Sequence, residues 1–170
     1  MDIKINQTEP SQDLLLLWRS ALGDTWPISQ ESLLGKLNNK NTTIFTATKD
    51  DELVGMITIN GENIIAILVV PDFQRKGIGS QLLEAGLEKI KQSGCRQATA
   101  GQGGGYLWPG VPLNLPGAVE FLKSKGWSTD EEVITDMVCD LTKYSVPEDI
   151  RKKIACSNVE IRLSEPTDVD

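Results

Sequence analysis

The 170-residue chain contains no histidine and only three cysteines, Cys95, Cys139 and Cys156, none of which forms a C-x-x-C pair. A structural zinc site needs such ligands at short spacing, so we expect no metal site. The lack of histidine also excludes a Ser-His or Cys-His nucleophile within the chain. Any general base active near neutral pH must therefore be a carboxylate, a bound water, or a Lys, Tyr or Cys with an altered pKa.

The sequence also lacks a long apolar run and an excess of positive charge. No segment approaches the roughly 20 apolar residues of a membrane span, and residues 1–10 show no basic start followed by an apolar stretch. The net charge of −7 argues against a broad nucleic-acid surface and is compatible with a cationic substrate such as an amine. We therefore expect a soluble, cytoplasmic protein that binds neither membrane nor nucleic acid.

Apolar periodicity predicts a mixed α/β (α+β) fold in which helices cover a central sheet. The nearly continuous apolar run at 63–70 is typical of a strand that is buried on both faces. A glycine- and proline-rich loop follows at 101–112. The expected order is a strand at 3–6, helices at 11–22 and 29–37, an antiparallel meander of strands at 42–48, 53–59 and 63–70, a helix at 77–93, a strand at 97–100, a helix at 117–125 and a strand at 133–141.

The character of the chain changes after Thr142, where a charged helix is predicted at 147–154 and a further strand at 159–163. That strand either pairs at the edge of the first sheet or opens a second domain. We favour the second domain, and we therefore divide the chain into a domain at 1–144 and a linker with the start of another domain at 145–170.

The stretch V-V-P-D-F-Q-R-K-G-I-G-S, residues 69–80, places glycines and positive charge where a strand gives way to a helix. The start of a helix leaves backbone N–H groups unpaired and carries partial positive charge. Glycines in the preceding turn remove Cβ atoms, so that an anion can approach the main chain. Gln74, Arg75, Lys76 and Ser80 add side-chain donors, so the stretch predicts a phosphate or pyrophosphate site.

The other common phosphate motifs fit this stretch poorly. The P-loop pattern G-x-x-x-x-G-K-[ST] is absent. The dinucleotide pattern G-x-G-x-x-G fails because Leu82 occupies its third glycine position. The run Gly103-Gly104-Gly105 is not followed directly by a helical pattern, so it is interpreted as a loop or lid.

Q-R-K-G-I-G after an apolar strand ending in V-V-P resembles the coenzyme A pyrophosphate signature of the GNAT superfamily of acyl-CoA-dependent N-acyltransferases. That signature has Arg or Gln, two residues, Gly, one residue, and then Gly or Ala. The two N-terminal helices, the meander and the later F-L-K-S-K-G-W stretch also resemble this family, from about Ile3 to Leu141. The resemblance implies a sheet with an antiparallel N-terminal meander and splayed central strands.

The resemblance also implies a set of cofactor-binding residues and acetyl-CoA as the cofactor. Main-chain N–H groups of the signature would hold the pyrophosphate, and the strand before it would lie along the pantetheine arm, next to the splayed strand at 97–100. Asn114 lies near the position at which many members of the family have an asparagine that touches the cofactor. The implied residues are Leu68, Val69, Val70, Gln74, Arg75, Lys76, Gly77, Ile78, Gly79, Ser80 and Asn114.

The chain departs from the family where proton transfer is concerned, so no catalytic residue is assigned. Many members place a tyrosine, the acid for the leaving thiolate, where this chain has Leu122. Many carry a glutamate near the place of Ala66, and Glu62 is either a base acting through water or a solvated turn residue. Tyr106 is either a substitute acid or ordinary loop packing; Trp26 and Trp108 are candidates for an acceptor pocket, and Trp18 and Trp127 for the core.

The function implied is transfer of an acetyl group from acetyl-CoA to a primary amine by direct attack of the amine on the thioester, and a small molecule is the expected acceptor. The alternative is a non-catalytic acyl-CoA-binding or regulatory domain, which the leucine at position 122 favours. A third possibility is an interaction domain that keeps the fold without the cofactor. A homodimer or a tandem second domain is the expected assembly.

Overall fold

The computed structural model describes residues 2–101, 107, 110–115, 117–128, 142 and 144–157. The chain forms two compact units, Met1–Ile134 and Thr135–Asp170, which are described separately. The elements of the first unit are β1 (Lys4–Thr8), α1 (Gln12–Leu22), α2 (Gln30–Leu37), β2 (Thr42–Lys49), β3 (Glu52–Asn60), β4 (Asn63–Val69), α3 (Ile78–Gln92), β5 (Thr99–Ala100) and α4 (Ala118–Ser124).

The five strands form one sheet in the order β1-β2-β3-β4-β5. The first four strands are antiparallel to their neighbours, and β5 pairs with β4 in parallel. Gly61 adopts a positive φ of 58° in the tight turn between β3 and β4, as the Asn-Gly sequence predicts. The expected mixed sheet with an antiparallel meander is confirmed, and the predicted strand at 133–141 lies outside the described residues.

Helices cover both faces of this sheet, and each face has its own apolar core. The core on the α1 face includes Leu14, Trp18 and Leu33 with Met56 and Leu68 of the sheet. The core on the α3 face includes Ile57 and Ile64 of the sheet with Leu82, Leu83 and Ile90 of α3, and Phe121 and Trp127 pack against it. Burial of β4 on both faces explains why its sequence is almost continuously apolar.

Two glycines allow α3 to lie close against the sheet. A Cβ atom on Gly86 would come within 2.7 Å of Ile57 Cδ1, and one on Gly55 would come within 2.9 Å of the Leu68 carbonyl oxygen and 3.0 Å of Leu82 Cδ1. Such contacts are shorter than van der Waals packing permits. The close approach fixes the position of α3, and therefore of its first turn, relative to the end of β4.

Thr58 provides a test of the buried polar groups in the sheet. It is completely buried and lies opposite Ala66 of β4, and its Oγ1 has no hydrogen-bond partner among the described residues. An unpaired buried hydroxyl costs about 1–3 kcal/mol. We therefore expect Thr58→Val to raise the free energy of unfolding by about 1 kcal/mol in urea denaturation.

Thr46 of β2 supplies the matched control, because it is also buried and its Oγ1 donates to the Asn6 carbonyl oxygen at 3.4 Å. Thr46→Val removes this hydrogen bond and should lower the free energy of unfolding by about 0.5–1.5 kcal/mol. A loss of stability in Thr58→Val as large as that in Thr46→Val would mean that the Thr58 hydroxyl has a partner after all.

In the second unit, the described residues contain the helix α5 (Glu148–Cys156), close to the predicted charged helix. Tyr144, Ile150 and Ile154 are exposed large apolar side chains near or on this helix. The predicted strand at 159–163 lies outside the described residues, and the domain boundary at 144/145 stays a prediction. None of the helices in the described part of the chain has the length and apolar character that a membrane span requires.

Candidate functional site

The turn between β4 and α3 has an unusual backbone. A short 3-10 turn, Pro71–Phe73, follows β4, and then Arg75 (φ 60°) and Gly77 (φ 85°) both adopt positive φ with one residue between them. A Cβ atom on Gly77 would meet nothing within 4 Å, so the backbone conformation, and not lack of space, favours glycine there. Left-handed residues alternating with others turn successive N–H groups toward one side, which makes a concave anion-binding surface.

The first turn of α3 adds further free donors beside this concavity. The first backbone hydrogen bond there runs from the Gln81 N–H to the Gly77 carbonyl at 3.1 Å, and no described side chain caps the helix. The N–H groups of Ile78, Gly79 and Ser80 have no backbone acceptor among the described residues. The first turn of α3 has no acidic residue, whereas α1, α2 and α4 each have one. Its donors and partial positive charge therefore suit an anion.

The edge of β4 beside this turn is left open by β5. The two strands pair only at Asn63 with Thr99 and Ile64 with Ala100. The Val70 N–H donates to the Val54 carbonyl of β3 at 3.0 Å, so alternation along the strand turns the backbone of Val69 and Ile67 to the opposite side. There the described chain supplies no strand partner. Beyond Ile64, this edge of β4 is therefore unpaired within the described residues, and we call this opening the splay that the family resemblance implied.

A register shift in β4 marks the start of this splay. Ile59 pairs with Ile64 and Thr58 pairs with Ala66, so Ile65 is an extra residue on β4. Such a bulge redirects the backbone groups that follow it. From Ile65 to Val69 the open edge is about 13 Å long at about 3.3 Å per residue.

Gln74 connects the open strand edge to the glycine turn. Its side-chain Nε2 donates to the Val69 carbonyl oxygen at 3.0 Å. The first residue of the predicted signature therefore contacts the last residue of β4. This bond helps to hold the turn beside the splay.

One cavity of about 620 Å³ joins the turn, the helix start and the open edge of β4. It passes through the splay, because Ala66 and Leu68 on its wall belong to the α1-face core while Val69 and Phe121 pack against the α3-face core. Arg75 and Lys125 are the charged residues among the described lining, and both lie at the α3-face end. That end therefore carries positive charge and free donors, and the α1-face end is apolar.

The cavity brings together seven of the residues that the resemblance implied, while four others lie off its wall. The side chain of Lys76 folds back so that Nζ donates to the Asp72 carbonyl at 2.7 Å and lies 5.2 Å from the centre of the Phe73 ring. Ile78 is 1% exposed and belongs to the α3-face core. The lining members are Leu68, Val69, Gln74, Arg75, Gly77, Gly79 and Ser80; the others are Val70, Lys76, Ile78 and Asn114.

Several lining residues were not expected from the sequence. Phe121, Ser124 and Lys125 come from α4 and the residue after it, and Ala21 comes from the last turn of α1. Phe121 lies over the start of α3, since a Cβ atom on Gly79 would be 3.5 Å from Phe121 Cζ. No local motif marks these residues, because their positions depend on how separate helices pack on the sheet.

Among the described residues considered for proton transfer, none places an acidic or basic side chain on the cavity wall. Leu122 and Ala66 both line the cavity and are 7% and 4% exposed, so apolar side chains stand where many family members were expected to carry an acid and a base. Glu62 is half-buried before β4, its backbone carbonyl accepts from the Thr99 N–H at 3.0 Å, and it does not line the cavity. Tyr106 and Trp108 lie outside the described residues.

Trp18 lies in the core as expected, whereas Trp26 does not line an acceptor pocket. Trp18 is 2% exposed in the α1-face core, as predicted. Its Nε1 donates to the Trp26 carbonyl at 2.7 Å, and Trp26 packs against the same core without lining the cavity. Within the part of the chain that the structure describes, no three His, Cys, Asp or Glu side chains come together as a group that could hold a metal ion.

These features define a class of protein, an α/β protein whose sheet splays beside a donor-rich turn and helix start suited to an extended, phosphate-bearing ligand. The family model for the acetyltransferase (GNAT) family matches residues 11–102, more than half of the chain. The chain therefore belongs to the GNAT acetyltransferase family. No curated protein is similar enough in sequence to count as a match.

Several solved structures share the fold of this chain. A GCN5-related glucosamine N-acetyltransferase region of a fungal multi-domain GH3 β-N-acetylglucosaminidase superposes with a TM-score of 0.76 at 22% identity over 91% of this chain, which spans 20% of that protein. AAC(6′)-Iy in complex with a bisubstrate analogue of CoA has a TM-score of 0.60 at 16% identity over 82% of this chain and 100% of its own. A transcriptional regulator from Bacillus halodurans has a TM-score of 0.59 at 18% identity, over 79% of this chain and 100% of its own.

Proposed function

We propose that this chain binds acetyl-CoA and transfers its acetyl group to a primary amine of a small molecule. The observation that carries the proposal is the continuity of one cavity from the donor-rich turn and start of α3 to the open edge of β4. Family membership supports acetyl transfer, and one solved relative is a complex with a CoA-based bisubstrate analogue.

The residues present fit the phosphate-bearing part of acetyl-CoA. The N–H groups of Ile78, Gly79 and Ser80 have no backbone acceptor in the described structure, and Gly77 leaves open space where a side chain would stand. We assign these groups, with the Arg75 side chain, to the pyrophosphate, because free N–H groups and positive charge are what such an anion requires.

The open edge of β4 is assigned to the pantetheine arm. The backbone of Val69 and Ile67 faces the splay, and amide groups of the arm can pair with it as an added strand. When bound, acetyl-CoA supplies the acetyl group as a thioester that an amine attacks. A backbone N–H beside the Ile65 bulge is assigned to stabilise the negative charge that develops on the thioester oxygen.

Calorimetry with acetyl-CoA tests the binding part of this proposal, and product detection with a panel of primary amines tests the transfer. The product should be followed by mass spectrometry, since the exposed Cys156 would itself react with a thiol reagent. Binding without an acetylated product from any amine would contradict transfer. An absence of binding would contradict the cofactor assignment as well.

A second candidate function is non-catalytic binding of acyl-CoA. Leu122 and Ala66 favour it, because both line the cavity and neither side chain can exchange a proton. The two functions differ in one observable. The enzyme should release free CoA faster when an amine is added, whereas a binding domain should leave acetyl-CoA intact.

A further inference from the structure

The α1-face end of the cavity points to a chemical class of acceptor. We propose that it binds the apolar part of the acceptor, so that the preferred substrates are primary amines with an uncharged alkyl or aryl group. This inference rests on the proposed function, which assigns the α3-face end and the open edge of β4 to acetyl-CoA.

The described wall of this end is built from aliphatic side chains. Ala66 and Leu68 of β4 and Leu22 of α1 are buried and form its deep part. Ala21 of α1 and Leu115 line the same end and are half-buried, so they lie nearer to solvent. None of these five side chains has a polar atom. An alkyl or aryl group that enters here exchanges water for apolar contacts with these side chains.

A second positive charge on the acceptor would be poorly placed in this part of the cavity. An ammonium group that leaves water for an aliphatic wall loses its hydration without gaining a partner. The charged side chains among the described lining, Arg75 and Lys125, are cationic and lie at the other end, so the described wall offers this ammonium group no carboxylate partner. Diamines should therefore be much poorer substrates than monoamines of equal length.

The acceptor, and not a longer acyl chain, is the occupant that we assign to this end. The cofactor enters from the donor-rich turn at the α3-face end, and its acetyl group adds only one methyl group beyond the thioester carbonyl. Ala21 and Leu115 at the α1-face end are half-buried, and we assign the route of the acceptor to this end. An amine that arrives there reaches the thioester without passing the bound cofactor.

The transfer itself balances without a further reactant. The amine nitrogen forms a bond to the acetyl carbonyl carbon, and the carbon–sulfur bond breaks. The ammonium form of the acceptor loses one proton to solvent before attack, the nitrogen loses a second after attack, and the CoA thiolate takes up one. The products are an N-acetylated amine and CoA.

A series of linear amines from propylamine to hexylamine, assayed with acetyl-CoA, tests the proposal. We expect kcat/KM to rise about fourfold per methylene, which corresponds to about 0.8 kcal/mol for each buried CH₂. Hexylamine should exceed 1,6-diaminohexane by at least about 30-fold after correction for the two equivalent amines. Equal efficiency of hexylamine and the diamine would overturn the proposal, and so would a flat series.

Ala21 offers a matched pair of variants at the wall. Ala21→Glu places a carboxylate at this end and should lower the efficiency with hexylamine while raising that with 1,6-diaminohexane, so that their ratio falls at least tenfold. Ala21→Gln has nearly the same shape without the charge and should leave the ratio near its wild-type value. Ala21 is half-buried near the end of α1, so both variants can keep the fold, and circular dichroism checks this.

An acyl-CoA series from acetyl to hexanoyl, assayed with one amine, tests whether a longer acyl chain, and not the acceptor, occupies the α1-face end. A strong preference for long acyl chains would assign this end to the acyl group and overturn the proposal. Binding of CoA without acetylation of any alkylamine would also overturn it while leaving the cofactor site intact. Failure of CoA to bind would instead remove the proposed function on which the inference rests.

Discussion

Gly79→Glu should abolish binding of acetyl-CoA while the protein stays as stable as the wild type or becomes slightly more stable. Gly79 lies in the first turn of α3, where its own N–H and those of Ile78 and Ser80 have no backbone acceptor among the described residues, and no acidic residue occupies that turn. A carboxylate there repels a pyrophosphate at close range, and two unit charges about 4 Å apart interact by about 4 kcal/mol near a protein surface. We expect the Kd in calorimetry to rise at least about 100-fold.

Gly79→Glu should not lower the free energy of unfolding, because a negative charge near the start of a helix is favourable by about 0.3–1 kcal/mol. The backbone of Gly79 is not left-handed, and a Cβ atom would sit at an ordinary 3.5 Å from the Phe121 ring. Gly79→Ala should therefore bind acetyl-CoA nearly as well as the wild type. Gly79→Gln separates steric block from charge, since it fills the same space without the carboxylate.

Gly77→Glu should also abolish binding, but its control must differ. Any side chain at Gly77 strains the backbone, whose φ is 85°, by about 1–2 kcal/mol. Gly77→Ala carries the same strain without the charge and isolates that cost. Unchanged affinity for acetyl-CoA in both glutamate variants would contradict the assignment of this turn as the pyrophosphate site.

The local part of the fold was predictable because its signals lie within short windows of sequence. Ser29 was expected near the start of a helix, and its side chain accepts from the Ser32 N–H as an N-cap. The helix expected at 77–93 runs from Ile78 to Gln92. Apolar periodicity and end signals fix both without reference to the rest of the chain.

The strand beside the splay shows where local signals stop. We expected a strand at 97–100, whereas only Thr99 and Ala100 pair with β4. The residues themselves do not limit the strand. Thr99 pairs with Asn63, the first residue of β4, so Gln97 and Ala98 lie before the point where β4 begins and have no strand partner there.

The candidate site also has a part that local sequence predicts and a part that it does not. Its glycine turn was predicted because one contiguous segment, residues 74–80, supplies both the backbone and the donors. The opposite wall was missed because Phe121, Lys125 and Ala21 come from separate helices. The direction of a side chain could not be predicted from the sequence either. Lys76 is an example, since its ammonium group contacts the Asp72 carbonyl and the Phe73 ring and Lys76 does not line the cavity.

The two functions proposed for this chain differ at Leu122, and a pair of substitutions there should distinguish them. Leu122 lines the cavity and is 7% exposed. Leu122→Tyr supplies a phenol that can give a proton to the leaving thiolate, and a well-placed general acid contributes about 10²–10⁴-fold to a rate. We expect kcat to rise at least about tenfold with little change in KM for acetyl-CoA.

Leu122→Phe is the matched control because it differs from Leu122→Tyr by the hydroxyl group alone. Both aromatic rings are larger than leucine, so both variants should lose about 1–3 kcal/mol of stability through overpacking. A rise in kcat confined to the tyrosine variant would show that a working acyl-transfer site lacked only its acid. If the two variants have equal kcat values, the tyrosine hydroxyl does not reach the leaving sulfur. If neither variant acetylates any amine although both bind acetyl-CoA, the chain is better described as an acyl-CoA-binding member of the family.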